Sequence, residues 1–394
     1  MTSGSPVQSS KPAPSLVAGG PFAELCRRIG GPLETPRGSG VIALVALGVA
    51  WLPLVVLAAW QGVALSADTG GASLIADLGV WARFVVGLPM LLLVGPGIAR
   101  RIDPAFTELR RLVPESRRAD FEAALARFQW YQTAWTPELV LLGIAWIAGW
   151  LMFRAHAVAD LSAWHHLPGS DATSLARIWA AWVSLPLFQF VALRWGWRMF
   201  AWWRFLSRVS KLDLELIPTN PDGFGGLGFL GEAQSSLFLL MAPSALLFSS
   251  RIAMSVLYKG NSVDSFQAPG AALVVLAAIV MMGPVAPMMS ALLRARRRGI
   301  LEYGRLAQNY ARAFDQKWVR GKAGDEPLLG TADIQSLADL SNSLTVVRRL
   351  SPIPFEKRHF ALFAACLILP AVPPLLFVMP LGEILERLAS ILAR

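Results

Sequence analysis

The stretch from Val41 to Trp60 reads VIALVALGVAWLPLVVLAAW and contains no charged residue. A hydrocarbon core about 30 Å thick is crossed by roughly 20 helical residues, so this stretch has the length of one membrane span. Backbone groups in lipid must hydrogen-bond within their own segment, and a block this long exceeds a barrel strand. The stretch therefore predicts a transmembrane α-helix.

Six more apolar blocks of similar length follow along the chain, at about 81–98, 139–153, 175–193, 235–257, 271–293 and 360–379. The chain of 394 residues is 55% hydrophobic and 16% charged, whereas soluble proteins are about 25% charged. A surface in water needs polar cover, so a soluble fold does not reach this balance. We predict an all-α, multi-pass transmembrane helix bundle of about seven spans with a small helical cytoplasmic layer.

Basic residues are distributed unevenly around the predicted spans. Of the 36 Lys and Arg residues, 29 fall in the N-terminal segment and in the second, fourth and sixth connections between spans, and 7 fall elsewhere. Because connections rich in Lys and Arg stay in the cytoplasm, we place the N-terminus there and the C-terminus on the other side of the membrane. The net charge is +10. We expect the basic residues to contact the lipid bilayer through its anionic lipid headgroups. We infer no nucleic-acid partner.

The segments between and beyond the spans differ in composition. The first 40 residues are rich in Ser, Pro and Gly and bury too little apolar surface to fold. Periodic apolar residues after the sixth span indicate helices that offer a surface to a protein partner on the cytoplasmic side. The predicted organisation is a disordered cytoplasmic tail at 1–40, a six-span bundle at 41–293 with cytoplasmic helices at 100–135 and 194–231, a cytoplasmic helical segment at 294–359, a seventh span at 360–380 and an amphipathic C-terminal helix at 381–394.

Four arginines lie near the outer ends of consecutive spans, namely Arg83, Arg154, Arg177 and Arg251. Charges within a membrane are costly, so a site for a ligand or ion is one hypothesis for them. The alternative is that their side chains reach water at the span ends or pair with nearby acidic residues, Asp77, Asp160 and Asp171. The direction of the guanidinium groups distinguishes the two, since a site requires them to converge between helices.

A basic helix and a glycine-rich loop follow the fourth span. The basic residues of the helix share one face, which favours an interfacial helix along the inner leaflet, with a headgroup or anionic-substrate site as the alternative. The loop lacks the strand and the Gly-Lys-Ser/Thr of a phosphate loop. Its charged neighbours are either solvated interface residues or part of an entrance. The candidates for a cytoplasmic entrance or lipid contact are Arg194, Arg198, Asp222, Gly225, Gly226, Gly228 and Glu232.

Two motifs resemble those of a family of uncharacterised bacterial multi-pass inner-membrane proteins. The first consists of Leu212-Asp-Leu, Pro218-Thr-Asn-Pro-Asp222 and Gly225-Gly-Leu-Gly-Phe-Leu230. The second consists of Ala332-Asp-Ile-Gln-Ser-Leu-Ala-Asp-Leu340, Val346-Val-Arg348 and Pro352-Ile-Pro-Phe355. The resemblance covers roughly residues 190–360, and the family pattern has His where this chain has Asn220. It implies a bacterial inner membrane, so that the C-terminus lies in the periplasm. It also implies that both motifs face the cytoplasm, and it supplies no activity.

No set of residues in the sequence indicates catalysis, a cofactor or a metal. His165 and His166, with His156 and Asp160 nearby, have metal-binding residue types, but a solvated loop is the simpler interpretation. The two cysteines have no partner at metal or redox spacing. We therefore assign no catalytic, cofactor or metal residues, and a membrane-embedded enzyme ranks third among the function hypotheses.

Proline or internal glycine occurs in nearly every predicted span. Each proline removes a helical hydrogen bond and tends to kink the helix, and broken helices often border transport sites. The first hypothesis is therefore a transporter- or channel-like protein for a small solute or ion. The alternative is a non-catalytic membrane scaffold that binds a partner through its cytoplasmic helices.

Overall fold

The computed structural model describes residues 14–65, 71–155, 162–170, 172–321, 332–384 and 386. This part of the chain is helical, with two isolated β-bridges and no strand. Several of its helices include short π or 3-10 stretches. In chain order, the helices of the described part are α1 Pro21–Ile29, α2 Pro36–Trp60, α3 Leu78–Arg111, α4 Arg118–Thr133, α5 Trp135–Ala155, α6 Leu175–Val209, α7 Gly228–Lys259, α8 Val263–Val319, α9 Ala332–Arg349 and α10 Lys357–Leu375.

Seven of these helices, α2, α3, α5, α6, α7, α8 and α10, are long and apolar enough to cross a membrane. The prediction of an all-α, multi-pass transmembrane bundle is therefore confirmed. The connections that carry most Lys and Arg residues lie together at what we call the basic end of the bundle. The connections after α2, α5 and α7 lie at what we call the opposite end.

Aromatic side chains hold the basic end together. The ring of Phe106 on α3 lies 5.0 Å from that of Phe128 on α4 and 5.2 Å from that of Phe205 on α6, centroid to centroid. Trp202 adds an edge contact to Phe106 at 5.4 Å and is fully buried. Such ring pairs contribute beyond the area they bury. The extensions of α3 and α6 past the apolar spans are therefore fixed against α4.

Prolines set the local form of the spans. Segments Trp81–Gly87 of α3 and Ala180–Ser184 of α6 are π-helical, and each ends just before a Leu-Pro pair, at Pro89 and Pro186. Proline cannot donate to the carbonyl four residues earlier, so the chain there adopts the wider turn. The carbonyl of Trp182, which Pro186 leaves free, accepts the indole N–H of Trp146 at 3.2 Å.

The prediction of a disordered tail at 1–40 is wrong for the described residues 14–40. Helix α1 lies there, Leu16 and Val17 are 0% and 2% exposed, and α2 begins at Pro36 behind the N-cap Thr35. Composition alone underestimated the order of this segment, because its few apolar side chains pack against other helices. Residues 1–13, including Lys11, lie outside the described residues.

Other predicted boundaries also change. The segment predicted as an interfacial helix at the start of 194–231 continues α6 without a break, and its Arg194 and Arg198 are buried, so that interpretation is wrong. The segment 294–359 is not separate, because α8 runs from the sixth span to Val319 and is followed by α9. The predicted helix at 100–135 is divided between α3 and α4. Of the C-terminal helix at 381–394, residues 385 and 387–394 lie outside the described residues.

Candidate functional site

A cavity of about 120 Å³ lies at the opposite end, between α3, α5, α6 and α7 and beneath residues 162–165. Three of the four predicted arginines, Arg83, Arg177 and Arg251, line it. The fourth, Arg154, is exposed and stacks on the Trp150 ring at 4.5 Å. Arg83, Arg177 and Arg251 therefore share one cavity, whereas Arg154 lies apart from it, and a ligand site at this cavity stays a prediction.

The π-helical turns bring this cavity about. Arg83 lies within the π-helical part of α3, and Ala180 and Ala181 of the π-helical part of α6 line the opposite wall. A Cβ atom at Gly79 would lie 2.9 Å from Nη1 of Arg83, so glycine leaves room for the guanidinium. Wider turns displace side chains from the ordinary helical register and are frequent at functional sites.

Two of the guanidinium groups are uncommitted. Within the described part of the chain, Arg83 and Arg251 form no hydrogen bond and no ion pair. They lie close enough for Arg251 to repel Arg83 and for Asp77 to attract it. Arg83 is half-buried, and a half-buried charge without a partner is costly, so an anion beside it would be stabilising. Arg251 is exposed and would add a second positive charge beside that anion.

Arg177 is fixed by the protein itself. Its Nη2 donates to the carbonyl of Phe153 at 2.9 Å, its Nη1 lies 3.3 Å from Nε2 of His166, and its guanidinium lies 4.6 Å above the Phe153 ring. Its backbone N–H donates to the hydroxyl of the N-cap Ser174. The charge of Arg177 is thus held in place at the wall of the cavity by groups that carry no full negative charge in the described part.

Asp77 supplies the negative charge at this cavity, and it is already saturated. Oδ1 accepts the backbone N–H groups of Gly79 at 2.8 Å and Val80 at 3.3 Å, which caps α3. Oδ2 accepts the hydroxyl of Ser162 at 2.7 Å and the indole N–H of Trp164 at 3.0 Å. The carboxylate thus ties the loop over the cavity. Three guanidinium groups facing one such carboxylate leave the cavity positively charged.

The predicted partners of the arginines are resolved only in part. Asp160 and Asp171 lie outside the described residues, as does His156 of the predicted histidine cluster. His165 lines the cavity and His166 contacts Arg177. In the part of the chain that the structure describes, no group of three or more His, Cys, Asp and Glu side chains is placed to hold a metal ion.

At the basic end, Arg194 and Arg198 form a buried pair. Nε of Arg194 lies 3.0 Å from Oε1 of Glu138, whose Oε2 accepts the backbone N–H of Phe22 at 2.7 Å. Arg198 donates instead to backbone carbonyls of residues 16, 18 and 19. Neither side chain is placed to contact lipid, because they are only 5% and 2% exposed.

The glycine-rich loop closes on its own carboxylate. Asp222 accepts the backbone N–H groups of Phe224 at 2.8 Å, Gly226 at 3.0 Å and Gly228 at 3.0 Å. Gly225 and Gly226 have φ values of 64° and 99°, which glycine adopts without strain. The amide groups that a phosphate would need are therefore occupied by Asp222.

Glu232, which follows the first motif, contacts two residues that follow the second motif. It pairs with Arg358, and its Oε1 lies 3.3 Å from Nε2 of His359. The backbone N–H of Ser351 donates to the carbonyl of Gly223 at 3.0 Å, which adds a second link. No hydrogen bond joins the described loop to Arg194 or Arg198, so the seven basic-end candidates do not form one site.

The sequence interpretation did not select three residues that matter here: Trp164, Glu138 and Gln132. Glu138 is a lone carboxylate at the start of an apolar span, which was a usable signal. Trp164 and Gln132 had no such signal. Comparisons with known protein families, with curated proteins and with solved structures found no match to this chain. A function for it therefore has to be argued from the geometry of its cavities.

Proposed function

We propose that the chain is a multi-pass protein of the bacterial inner membrane that binds a small anion at the periplasmic end of its bundle and serves its passage as a transporter or channel. The observation that carries the proposal is the convergence of Arg83, Arg177 and Arg251 on one cavity. The uneven distribution of Lys and Arg supports a cytoplasmic basic end and a periplasmic opposite end.

The size and chemistry of the cavity favour a compact anion over a large solute. Its volume of about 120 Å³ suits an ion such as chloride, nitrate or sulfate. Arg83 and Arg251 each present donors that no described group uses, whereas Arg177 is fixed and supplies charge. Hydrogen bonds between guanidinium and an oxyanion are charge-assisted and stronger than neutral ones.

The irregular helices around the cavity support the proposal that an anion passes through the protein. The π-helical parts of α3 and α6 lie on two of its sides, and each is followed by a proline. Helices interrupted in this way can change their local hydrogen bonding with little disruption, because the regular ladder is already broken there. A binding site between such segments suits a protein that must also release its ligand.

Anion binding is tested by calorimetry on the purified protein in nanodiscs with chloride, nitrate, sulfate and phosphate. Arg83→Gln and Arg251→Gln should each weaken the best anion roughly 10- to 150-fold, since a hydrogen bond to a charged group contributes about 1.5–3 kcal/mol. Arg154→Gln is the matched control and should leave affinity unchanged. Equal affinities in all four proteins would refute the site.

Passage needs a separate measurement. Proteoliposomes containing the protein should take up the same anion faster than empty vesicles, and Arg83→Gln should reduce that flux. Binding without flux would leave an anion-binding membrane protein and exclude the transport part of the proposal.

A scaffold is the second proposal, and a different observation supports it. The part of α8 beyond Gly299 has no buried residue, and α9 buries only Val347 among its described side chains. Leu301, Leu306 and Ile334 are exposed on this pair of helices. A scaffold predicts that Leu301→Glu with Leu306→Glu abolishes retention of a specific partner while anion binding stays intact.

A further inference from the structure

The N-terminal segment enters the bundle at its basic end. Residues 16–20 are not helical, and they lead into α1 through Gly19 and Gly20, whose φ values are 91° and 87°. Leu16 and Val17 are almost completely buried. The segment therefore fills space between helices that the seven spans would otherwise leave open.

Backbone groups of this segment occupy the arginine pair. Arg198 donates to the carbonyls of Leu16, Ala18 (3.1 Å) and Gly19 (2.7 Å), and Arg194 donates to that of Gly19 at 3.2 Å. Three carbonyl oxygens thus accept N–H donors of two guanidinium groups, which are donors that an oxyanion also accepts. The difference is that carbonyls carry no net charge.

The two arginines differ in their ion partners. Arg194 has Glu138 as its ion partner, but Arg198 has no carboxylate within ion-pair distance in the described part of the chain. Arg194 lies close enough to repel Arg198, whereas Glu138 and Glu34 lie close enough to attract it. Neutral carbonyls satisfy the N–H groups of Arg198 without forming an ion pair, so an anion in their place would add one.

The fixation of the segment is mainly through its backbone. The N–H of Leu16 donates to Asp103 at 3.2 Å, and the N–H of Phe22 donates to Glu138 at 2.7 Å. A Cβ atom at Gly20 would lie 2.4 Å from Oε1 of Glu138, so the approach requires glycine. Residues 16–20 place only the side chains of Leu16 and Val17 in the core, and α1, which follows them and must move with them to expose Cys26, adds Ala23 and Cys26.

An open cleft lies beside the segment and contains one buried amide side chain. It measures about 940 Å³ and is lined by the segment, α1 and the junction of α4 and α5. Gln132 lines it, is 5% exposed, and has no hydrogen-bond partner for either atom of its side-chain amide. A buried amide without partners is costly, so a polar ligand in the cleft would be stabilising.

We propose that Arg194 and Arg198 form a second anion-binding site, at the basic end, and that residues 16–20 occupy it as a displaceable plug. The ligand class is a small inorganic oxyanion, whose charged oxygens replace the carbonyls of the segment. Glu138 orients Arg194 and leaves Arg198 to the ligand. The role of the plug rests on the proposed function, since a plug is useful only in a protein through which an anion passes. Displacement of the plug by an anion does not depend on the cavity at the opposite end.

Cys26 is a native reporter of the plug. It lies on α1, is buried, and is close enough to Arg194 and Glu138 to sense their charges. Burial raises the pKa of its thiol to about 11, so at pH 7.5 it is both shielded and protonated. Cys366→Ser leaves it as the single thiol. The rate of its reaction with N-ethylmaleimide in the full chain then measures how often the segment and α1 detach.

The first comparison tests whether the arginine holds the plug. In the Cys366→Ser background, Arg198→Gln should increase the labelling rate at least tenfold. The control Arg204→Gln, on the same helix, should leave the rate unchanged. Because Arg198→Gln could also impair folding, Leu16→Ala with Val17→Ala weakens the plug without altering the bundle and should likewise increase the rate. Unchanged labelling in both plug variants would overturn the proposal.

The second comparison tests the ligand class. Inorganic sulfate replaces bulky gluconate at constant ionic strength, so screening stays fixed. Labelling of Cys26 should rise saturably with sulfate, and Arg83→Gln with Arg251→Gln should not abolish that rise. Arg198→Gln should remove the sulfate dependence. A labelling rate that does not change with sulfate would overturn the anion site, and so would an equal response to sulfate in Arg198→Gln. Either result would leave the proposed function to its own test.

Discussion

Replacing Asp77 by Asn tests the account of the cavity, because it removes one charge and changes little else. Asn is as good an N-cap as Asp, so its oxygen can keep the bonds from Gly79 and Val80. Its NH₂ group then faces the Ser162 hydroxyl, which can accept, and the Trp164 indole N–H, which cannot. One buried donor loses its partner.

The expected cost follows from that single lost bond. A buried donor left unsatisfied costs about 1–3 kcal/mol, so Asp77→Asn should lower the free energy of unfolding by that amount. Trp164→Phe removes the orphaned donor, and in that background the cost of Asp77→Asn should fall below about 0.5 kcal/mol. The assay is a double-mutant cycle by SDS titration in mixed micelles, followed by loss of helical circular dichroism.

Two results would refute this reasoning. The first is an equal cost of Asp77→Asn with and without the Trp164 indole. The second concerns binding, since removing a negative charge from the cavity should strengthen anion affinity, and a weaker affinity would contradict the electrostatic account. Asp120→Asn, which breaks only an exposed ion pair with Arg117, should cost less than about 1 kcal/mol.

Two further predictions concern the basic end. Gly231→Ala would place a Cβ atom 2.1 Å from the carbonyl oxygen of Pro354, so it should destabilise the protein by about 1–3 kcal/mol in the same titration, whereas Gly304→Ala, in open space on α8, should not destabilise it. The hydrogen bond from Lys317 lowers the pKa of Asp333, so this carboxylate stabilises the contact of α8 with α9 above its usual pKa of about 3.8 and loses that effect as pH falls through the lowered value. The protection factors of the α9 amides, which correct hydrogen-exchange rates for the intrinsic pH dependence of exchange, should therefore be constant from about pH 5 to 8 and fall only below about pH 4, and Asp333→Asn should remove that fall.

The spans were predictable because their signal is local. Each helix in lipid must satisfy its own backbone, so a long apolar block such as Val41 to Trp60 indicates a span without reference to the rest of the chain. The approximate ends of the blocks agree with the helices. The larger differences occur where a span continues as a helix beyond the apolar stretch, and α10 instead ends at Leu375, before the predicted end at 379. Nothing in local hydropathy marks that continuation in α6 or α8.

The candidate site was predictable only in its residue types. Arg83, Arg154, Arg177 and Arg251 look alike in sequence, since each lies near the end of a span. Whether a guanidinium points into the bundle depends on the rotation of its helix, which packing against neighbouring helices sets. The π-helical parts of α3 and α6 shift that rotation further, and proline patterns alone do not fix its extent.

For the N-terminal segment, the sequence predicted disorder where the structure has order. Its composition predicts disorder because entropy is weighed only against the apolar surface that the segment itself carries. The stabilising groups, Glu138, Arg194 and Arg198, lie more than a hundred residues away in the chain. No local rule can include such partners.

The sequence by itself determined the class of the protein, the number of helices that can cross a membrane and the end of the bundle that carries the positive charge. These properties depend on hydropathy and charge, which each segment expresses alone. Only the tertiary structure decided which arginines share a cavity, which are buried beneath the N-terminal segment, and that Asp222 fills its own glycine loop. Those properties depend on distances between segments remote in sequence, and such distances are set when helices pack.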